Sequence, residues 1–273
     1  SNGTAAESTD STKFRTFVSD GFQVGNHNGV NANSNDYASW NWLAGASQTL
    51  NSGNVTSTVR ANTTAGFSIV KWTGTADNIL VSHGLGVIPK VVMIKNLSNG
   101  SAQWVVYHVG TGNTKACYLN TTATPTTASG FFNNFTPDAT NFIVGSDTAV
   151  NGSGNSMIAY CFADVQGYSK FSSYTGNGSA DGSFIYTGFK PAFVMMKCTD
   201  LARSWQMHNN KSDPFNSVTR RLFANLSDAE VSNTDLDFLS NGFKVRTTDL
   251  NMNGSGNNYI YMAFAENPLV ANS

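Results

Sequence analysis

Charge is what this chain has least of. Only 12% of its 273 residues are Asp, Glu, Lys or Arg, 17 acidic against 16 basic. A formal net charge of -1 supplies no electrostatic footprint for nucleic acid or an anionic membrane surface, so neither is expected as a partner. Glutamate occurs only at Glu7, Glu230 and Glu266, which leaves almost no material for the charged i,i+4 pairs of exposed helices. Long helices are therefore not expected. No apolar run approaches the roughly 20 residues of a membrane-spanning helix, and no basic-plus-apolar leader opens the chain, so membrane insertion is not expected. A start at Ser-Asn-Gly without Met predicts a processed chain or a fragment of a longer one. Three cysteines, Cys117, Cys161 and Cys198, cannot make a fully paired disulfide framework, and their spacing matches no zinc pattern. They read as small apolar fillers, which predicts folding in a reducing compartment.

Catalytic signatures are scarce as well. The four histidines, His27, His83, His108 and His208, show no metal-binding spacing; His83, before Gly84-Leu85-Gly86, is expected at the start of a strand. No nucleophile elbow, phosphate loop or dinucleotide fingerprint stands between a strand and a helix. Asp77, Asp181, Asp200, Asp213 and Asp237 lie in turn-like contexts, where Asp organises local hydrogen bonds; they do not read as a carboxylate pair across a sugar bond. No enzyme is expected.

What is present is an apolar 40% carried on a Ser/Thr/Asn/Gly background, a composition of strands and turns. The stretch 251–266 is its organising signature: an Asn-Gly-Ser-Gly-Asn turn runs into alternating apolar residues, Tyr259-Tyr261-Ala263 against Ile260-Met262-Phe264. Residues 151–164 repeat it, with Met157-Ala159-Cys161 against Ile158-Tyr160-Phe162. Asn31 to Trp42 is a more degenerate third copy, and in all three an Asn stands six positions before the first large residue, Tyr37, Met157 or Tyr259. With both faces apolar, each alternation predicts a strand buried inside a sandwich, and Gly152-Ser153-Gly154 and Gly254-Ser255-Gly256 predict hairpin connections before it.

Two full copies overlay by landmarks. Pro191 follows Pro89, and Asn253 follows Asn151, by 102 residues, whereas Asn225 follows Asn120 by 105, so only the middle loops vary. A period this long predicts self-contained sandwiches and not solenoid units. The expected fold is all-β, with tandem antiparallel β-sandwich (jelly-roll or Ig-like) repeats of about 100 residues. The expected domains are 1–65 (a linking end to about residue 12, the second half of a degenerate repeat over 14–45, and a linker), 66–166, 167–268, and a tail 269–273. Phe14-Arg15-Thr16-Phe17-Val18 predicts a short strand, 47–65 a connection or edge strand, and Ser227-Asp228-Ala229-Glu230 one capped helical turn.

Asp147 with Asn151, and Asp249 with Asn253, offer oxygens to a hard cation such as Ca²⁺, though one carboxylate with amides is a poor donor set and turn organisation explains the pairs better. No other cofactor is expected. Trp72 and Tyr174, like Trp104 and Trp205, recur at equivalent places, which fits core packing better than a sugar-stacking platform. Ligand contact is expected in the variable loops, at Arg203, Lys211 and Asn113.

Several of these motifs resemble a recurrent unit of large structural proteins of marine tailed bacteriophages, including those of cyanobacteria. The matching residues are Gly66-Phe67-Ser68-Ile69-Val70, His83-Gly84-Leu85-Gly86 with Pro89-Lys90, Trp104-Val105-Val106-Tyr107-His108, Val150 to Gly154 and Ala159 to Ala163. In the second copy they are Gly167 to Phe171, Tyr174 to Gly178, Asp237 to Lys244 and Tyr261 to Pro268. The similarity spans residues 14–268. It implies a non-enzymatic virion component, assembled in a host cytoplasm and carried on the extracellular particle. The expected role is a tail fibre or surface appendage in host attachment; its partners would be further copies of itself as a homotrimer, other virion proteins and a host surface glycan. In that family such repeats often follow a concanavalin A-like lectin domain, which would account for the half-repeat at 14–45. The alternatives are a capsid-decorating protein, a carbohydrate-binding or adhesion module of a secreted bacterial protein, and a depolymerising tailspike enzyme.

Overall fold

A computed structural model describes residues 3–267; the tail 269–273 lies outside them. The chain opens with a hairpin of Phe14–Val18 (β1) and Gly21–Val24 (β2), then one helical turn, Asn28–Asn31 (α1). Ser47–Leu50 (β3), Ser57–Asn62 (β4), Phe67–Thr73 (β5), Ile79–Ser82 (β6), Val91–Asn96 (β7) and Val105–His108 (β8) follow. After a 3-10 turn at Val109–Thr111 come Lys115–Tyr118 (β9), Thr126–Thr127 (β10), Ser129–Phe132 (α2), Asn141–Val144 (β11), Thr148–Asn151 (α3) and Ser156–Phe162 (β12). The rest is Ser169–Thr175 (β13), Phe184–Tyr186 (β14), Pro191–Cys198 (β15), Gln206–Asn209 (β16), Val218–Phe223 (β17), Val231–Leu239 (β18), Gly242–Val245 (β19) and Asn258–Ala265 (β20).

The fold is all-β, and every strand pairing is antiparallel. One eight-stranded sheet runs β10-β9-β8-β7-β12-β5-β4-β3, with a separate two-stranded ladder, β11-β6. The second eight-stranded sheet runs β13-β20-β15-β16-β17-β18-β19-β14. It curls at β17, whose end pairs with β16 (Leu222 opposite Met207) and whose start pairs with β18 (Val218 opposite Leu236). The result is close to a barrel.

The alternation of β12 and β20 decides where the core sits. Met157, Ala159 and Cys161 face a cluster with Val92, Ile94 and Phe142, whereas Tyr160 and Phe162 face the other way. Tyr261 and Ala263 face a cluster with Val194, Leu236 and Phe243, whereas Ile260, Met262 and Phe264 face away from it. The two outward faces meet. They build a middle cluster in which Phe67, Met93 and Phe162 pack with Phe171, Met195 and Phe264. A strand with apolar residues on both faces is thus buried by its own half on one side and by the other half on the other side. Three polar side chains pin this contact: Trp205 Nε1 donates to the Tyr118 carbonyl (2.9 Å), Lys197 Nζ to the Thr122 carbonyl (3.2 Å), and His108 Nε2 lies 3.1 Å from the Tyr261 carbonyl.

Several local expectations are corrected. Tyr37 to Trp42 is not a strand. β12 and β20 each have ladder neighbours on both sides, and residues 37–42 have none; the segment runs as an extended strap and inserts its tryptophans into the middle cluster, Trp40 against Phe193 and Trp42 against Phe264, each 5.2 Å between ring centres. Ser227 to Glu230 is irregular; Glu230 reaches Arg220 and does not close a capping box. The Gly-Ser-Gly runs do not join hairpin strands: each leads from a single closed turn, Asp147–Asn151 or Asp249–Asn253, into β12 or β20. Within 47–65 the edge-strand alternative holds for β3, and β4 lies inside it with Val59 fully buried. Among the leading residues 3–12, Glu7 N–H donates to the Leu97 carbonyl at 2.9 Å. His83 follows β6 instead of starting a strand, and its Nδ1 accepts from Leu85 N–H. All three cysteines are free and buried, and burial pushes the Cys117 and Cys161 thiols up to about 12.

Candidate functional site

An open groove of about 1190 Å³ runs between the 34–42 strap and residues of β15, β16, β17 and β20 in the second sheet. Its floor is the end of the middle cluster, Phe193 and Phe264, and Trp40, Trp42 and Tyr168 form half-buried aromatic walls. Its rim is polar, with Asn209 to Ser212, Arg220 and Glu230. The strap holds its place because Tyr37 Oη accepts from Ala32 N–H (2.8 Å) and donates to the Asn28 carbonyl (2.7 Å). The 209–212 turn is organised by Asn209, whose Oδ1 accepts from the Lys211 and Ser212 N–H groups, both at 2.9 Å. Asn210 donates to Glu266, which Lys190 also contacts at 2.7 Å; the Lys190 bond holds the Glu266 carboxyl below its usual range. Aromatic faces beside amides, a hydroxyl and two cations form a surface suited to stacking on a sugar ring while hydrogen-bonding its hydroxyls.

Of the residues expected to contact ligand, Lys211 lies in this groove, exposed on the rim. Arg203 and Asn113 do not line it. Arg203 is half-buried before Trp205, and Asn113 uses its Nδ2 on the Asn134 carbonyl at 2.6 Å. Sequence reasoning missed Trp40 and Trp42, because it assigned them to a buried strand, and it missed Arg220. The Arg220-Arg221 pair within a strand was the available signal: alternation sends one side chain out and the other in.

The four residues weighed as cation ligands are engaged in the fold. Asp147 accepts from Ala149 N–H (2.8 Å) and Asp249 from Asn251 N–H (2.8 Å), each closing the turn that follows. Asn151 Oδ1 accepts from Thr75 N–H (3.0 Å) while its Nδ2 donates to the Asp77 carbonyl (2.6 Å). Asn253 makes the matching pair with Asn177 N–H (2.9 Å) and the Ser179 carbonyl (2.7 Å). Among the described residues no group of three or more His, Cys, Asp or Glu side chains is placed to hold a metal ion.

Beneath the groove, Arg221 turns inward and bridges two carboxylates, Asp249 at 3.0 Å and Asp235 at 3.3 Å. Burial and the neighbouring Asp249 push Asp235 up, to about 7, against the pull of Arg221. Burial also acts to raise Asp249, but its bonds from Asn251 and Arg221 outweigh this and hold it low. His208, fully buried next to this pair, is pushed down to about 3 by burial and by Arg221.

No curated protein and no solved structure matches this chain. The model of one protein family, described as a domain of unknown function (DUF7483), matches residues 1–268, and the chain belongs to that family.

Proposed function

We propose that this chain is a non-enzymatic structural protein of a tailed-phage virion, a tail fibre or surface appendage built from tandem β-sandwich units, whose groove at Trp40, Tyr168 and Lys211 receives a host surface glycan. The groove is the observation that carries the binding reading: aromatic walls, a turn of ordered amides and two rim cations converge on one concave surface. The tandem reading is supported by matching neighbours: β12 lies between β5 and β7 as β20 lies between β13 and β15. β11 pairs with β6, Phe142 opposite Val81, as β19 pairs with β14, Phe243 opposite Ile185. The virion setting is supported by the sequence resemblance and by the low-charge Ser/Thr/Asn composition. A single groove of this openness binds weakly; a homotrimer would multiply it through effective concentration.

The test is a glycan array with the purified chain, followed by titration calorimetry on any hit and light scattering for mass. Glycan binding by a trimer, weakened about tenfold or more by Lys211→Ala or Trp40→Ala, is the expected result. A monomer that binds no glycan would refute the proposal. Localising the chain on purified particles by electron microscopy separates a tail from a capsid position, and density on the shell would make it a decoration protein.

A further inference from the structure

Residues 14–43 carry one half of the unit architecture without the other half, on the tandem reading above. Next to its turn the β1–β2 hairpin has the register of β18–β19: Phe17 faces Phe22, as Phe238 faces Phe243, before a shift at Phe14. His27 closes the next turn, accepting from Gly29 N–H as Asp249 accepts from Asn251 N–H. Ser34, three residues past Asn31, takes the left-handed backbone (φ 63°) that Gly154 and Gly256 take three residues past Asn151 and Asn253. The Tyr37 hydroxyl bonds reproduce those of Tyr259 with Gly254 N–H and the Leu250 carbonyl. The local structure of a unit's second half is thus reproduced up to its central strand, which Tyr37 to Trp42 do not form.

Among the described residues its counterpart is absent at three points. β19 is flanked by β18 and β14, whereas among the described residues β2 pairs only with β1. Val245 N–H donates to Ser183 on β14's side, so the equivalent Val24 and, two residues before it, Phe22 present their peptide groups to an open edge. Phe17 and Phe22 are 76% and 37% exposed, whereas Phe238 and Phe243 are 3% and 0% exposed. Asn31, exposed, makes one side-chain bond among the described residues, Nδ2 to the Gly25 carbonyl, and lacks the loop that Asn151 and Asn253 bridge.

We infer that β2 is an acceptor edge for a partner polypeptide carrying a first-half strand of the β14 type. That strand would add antiparallel to Gly21–Val24, cover Phe22 with an apolar residue in the place of Ile185, and extend the β1–β2 ladder as β14 extends β18–β19. The completed copies specify the occupant: at the same edge they place Ile79–Ser82 and Phe184–Tyr186, short strands with an inward aliphatic residue.

The experiment titrates the full chain with a fluorescent synthetic peptide of the sequence of residues 180–188, read by anisotropy and by amide hydrogen exchange. Saturable binding and exchange at Phe22 and Val24 slowed about tenfold or more are expected. Binding should vanish with a peptide bearing Pro at the Ile185 position, which cannot complete the ladder, and with the chain variant Phe22→Asp, an exposed site checked for folding by circular dichroism. Absence of protection at β2 would overturn the inference. So would a chain that dimerises alone and is made monomeric by Phe22→Asp, since the occupant would then be a second copy. Glycan titration of the same sample reports separately on the groove: peptide failure with glycan binding intact sinks this inference and leaves the other.

Discussion

Trp205 and Trp104 are the sharpest test of how the two halves are held together. Both backbone N–H groups donate to an Asn side chain, Trp205 to Asn225 (2.8 Å) and Trp104 to Asn120 (3.0 Å), so their local settings match. Their packing does not. Trp205 is 1% exposed between the two sheets and donates its indole N–H to Tyr118 across the contact, whereas Trp104 is half-buried at the margin, stacked on Tyr160 at 6.3 Å. Truncating Trp205 to Ala opens a cavity costing about 3–5 kcal/mol and leaves the Tyr118 carbonyl without that donor, about 1 kcal/mol more. Trp104→Ala exposes roughly half as much newly uncovered surface and should cost about 2 kcal/mol. Trp205→Phe keeps most of the volume and should cost about 1–3 kcal/mol. Urea unfolding followed by far-ultraviolet circular dichroism measures all three, and in a scan Trp205→Ala should lower Tm by on the order of 10 °C. Because the middle cluster draws on both halves, the native chain should unfold in one transition. A Trp205→Ala variant no less stable than Trp104→Ala, or two transitions of which only one moves, would refute the claim that the middle cluster couples the halves.

His108 should shape the acid limb of stability. Burial pushes it down to about 4 from an ordinary 6.5, and protonation would set a second N–H against Gly110 N–H, which now donates to Nδ1. The unfolded chain therefore takes up this proton first: the contribution is fully present above about pH 6.5 and falls by up to about 3 kcal/mol as pH drops to 4, so His108→Gln should flatten a plot of stability against pH there, and an unchanged slope would count against it. Asn151→Ala and Asn253→Ala should each cost about 2–3 kcal/mol in urea unfolding by orphaning two bridged backbone groups, whereas Asn31→Ala should cost less than about 0.5; equal effects would contradict the unpartnered state of the first segment. Thiol reagents at pH 8 should leave Cys117, Cys161 and Cys198 unlabelled until urea unfolds the chain, because all three are buried; fast native labelling would show that the cores open locally.

The sequence by itself determined the strands and their periodicity. Few charges and almost no Glu ruled out long helices, and the alternations at Met157 to Phe162 and Tyr259 to Phe264 marked β12 and β20, because side-chain direction in a strand is set locally by the backbone. The landmarks spaced by 102 residues also located elements with the same strand neighbours. Lys211 was legible as a variable-loop residue. What only the tertiary structure decided was partnership. Sequence alone reads Ile260, Met262 and Phe264 as buried, but not that Phe67, Met93 and Phe162 bury them, since hydrophobic burial is non-directional and any apolar face would serve. The same limit hid the groove. Tyr37 to Trp42 carries the pattern of a central strand, yet a strand needs ladder partners, and among the described residues none pairs with it. Deprived of them, the segment became a strap whose tryptophans wall the groove, an outcome set by which other strands exist and not by its own residues.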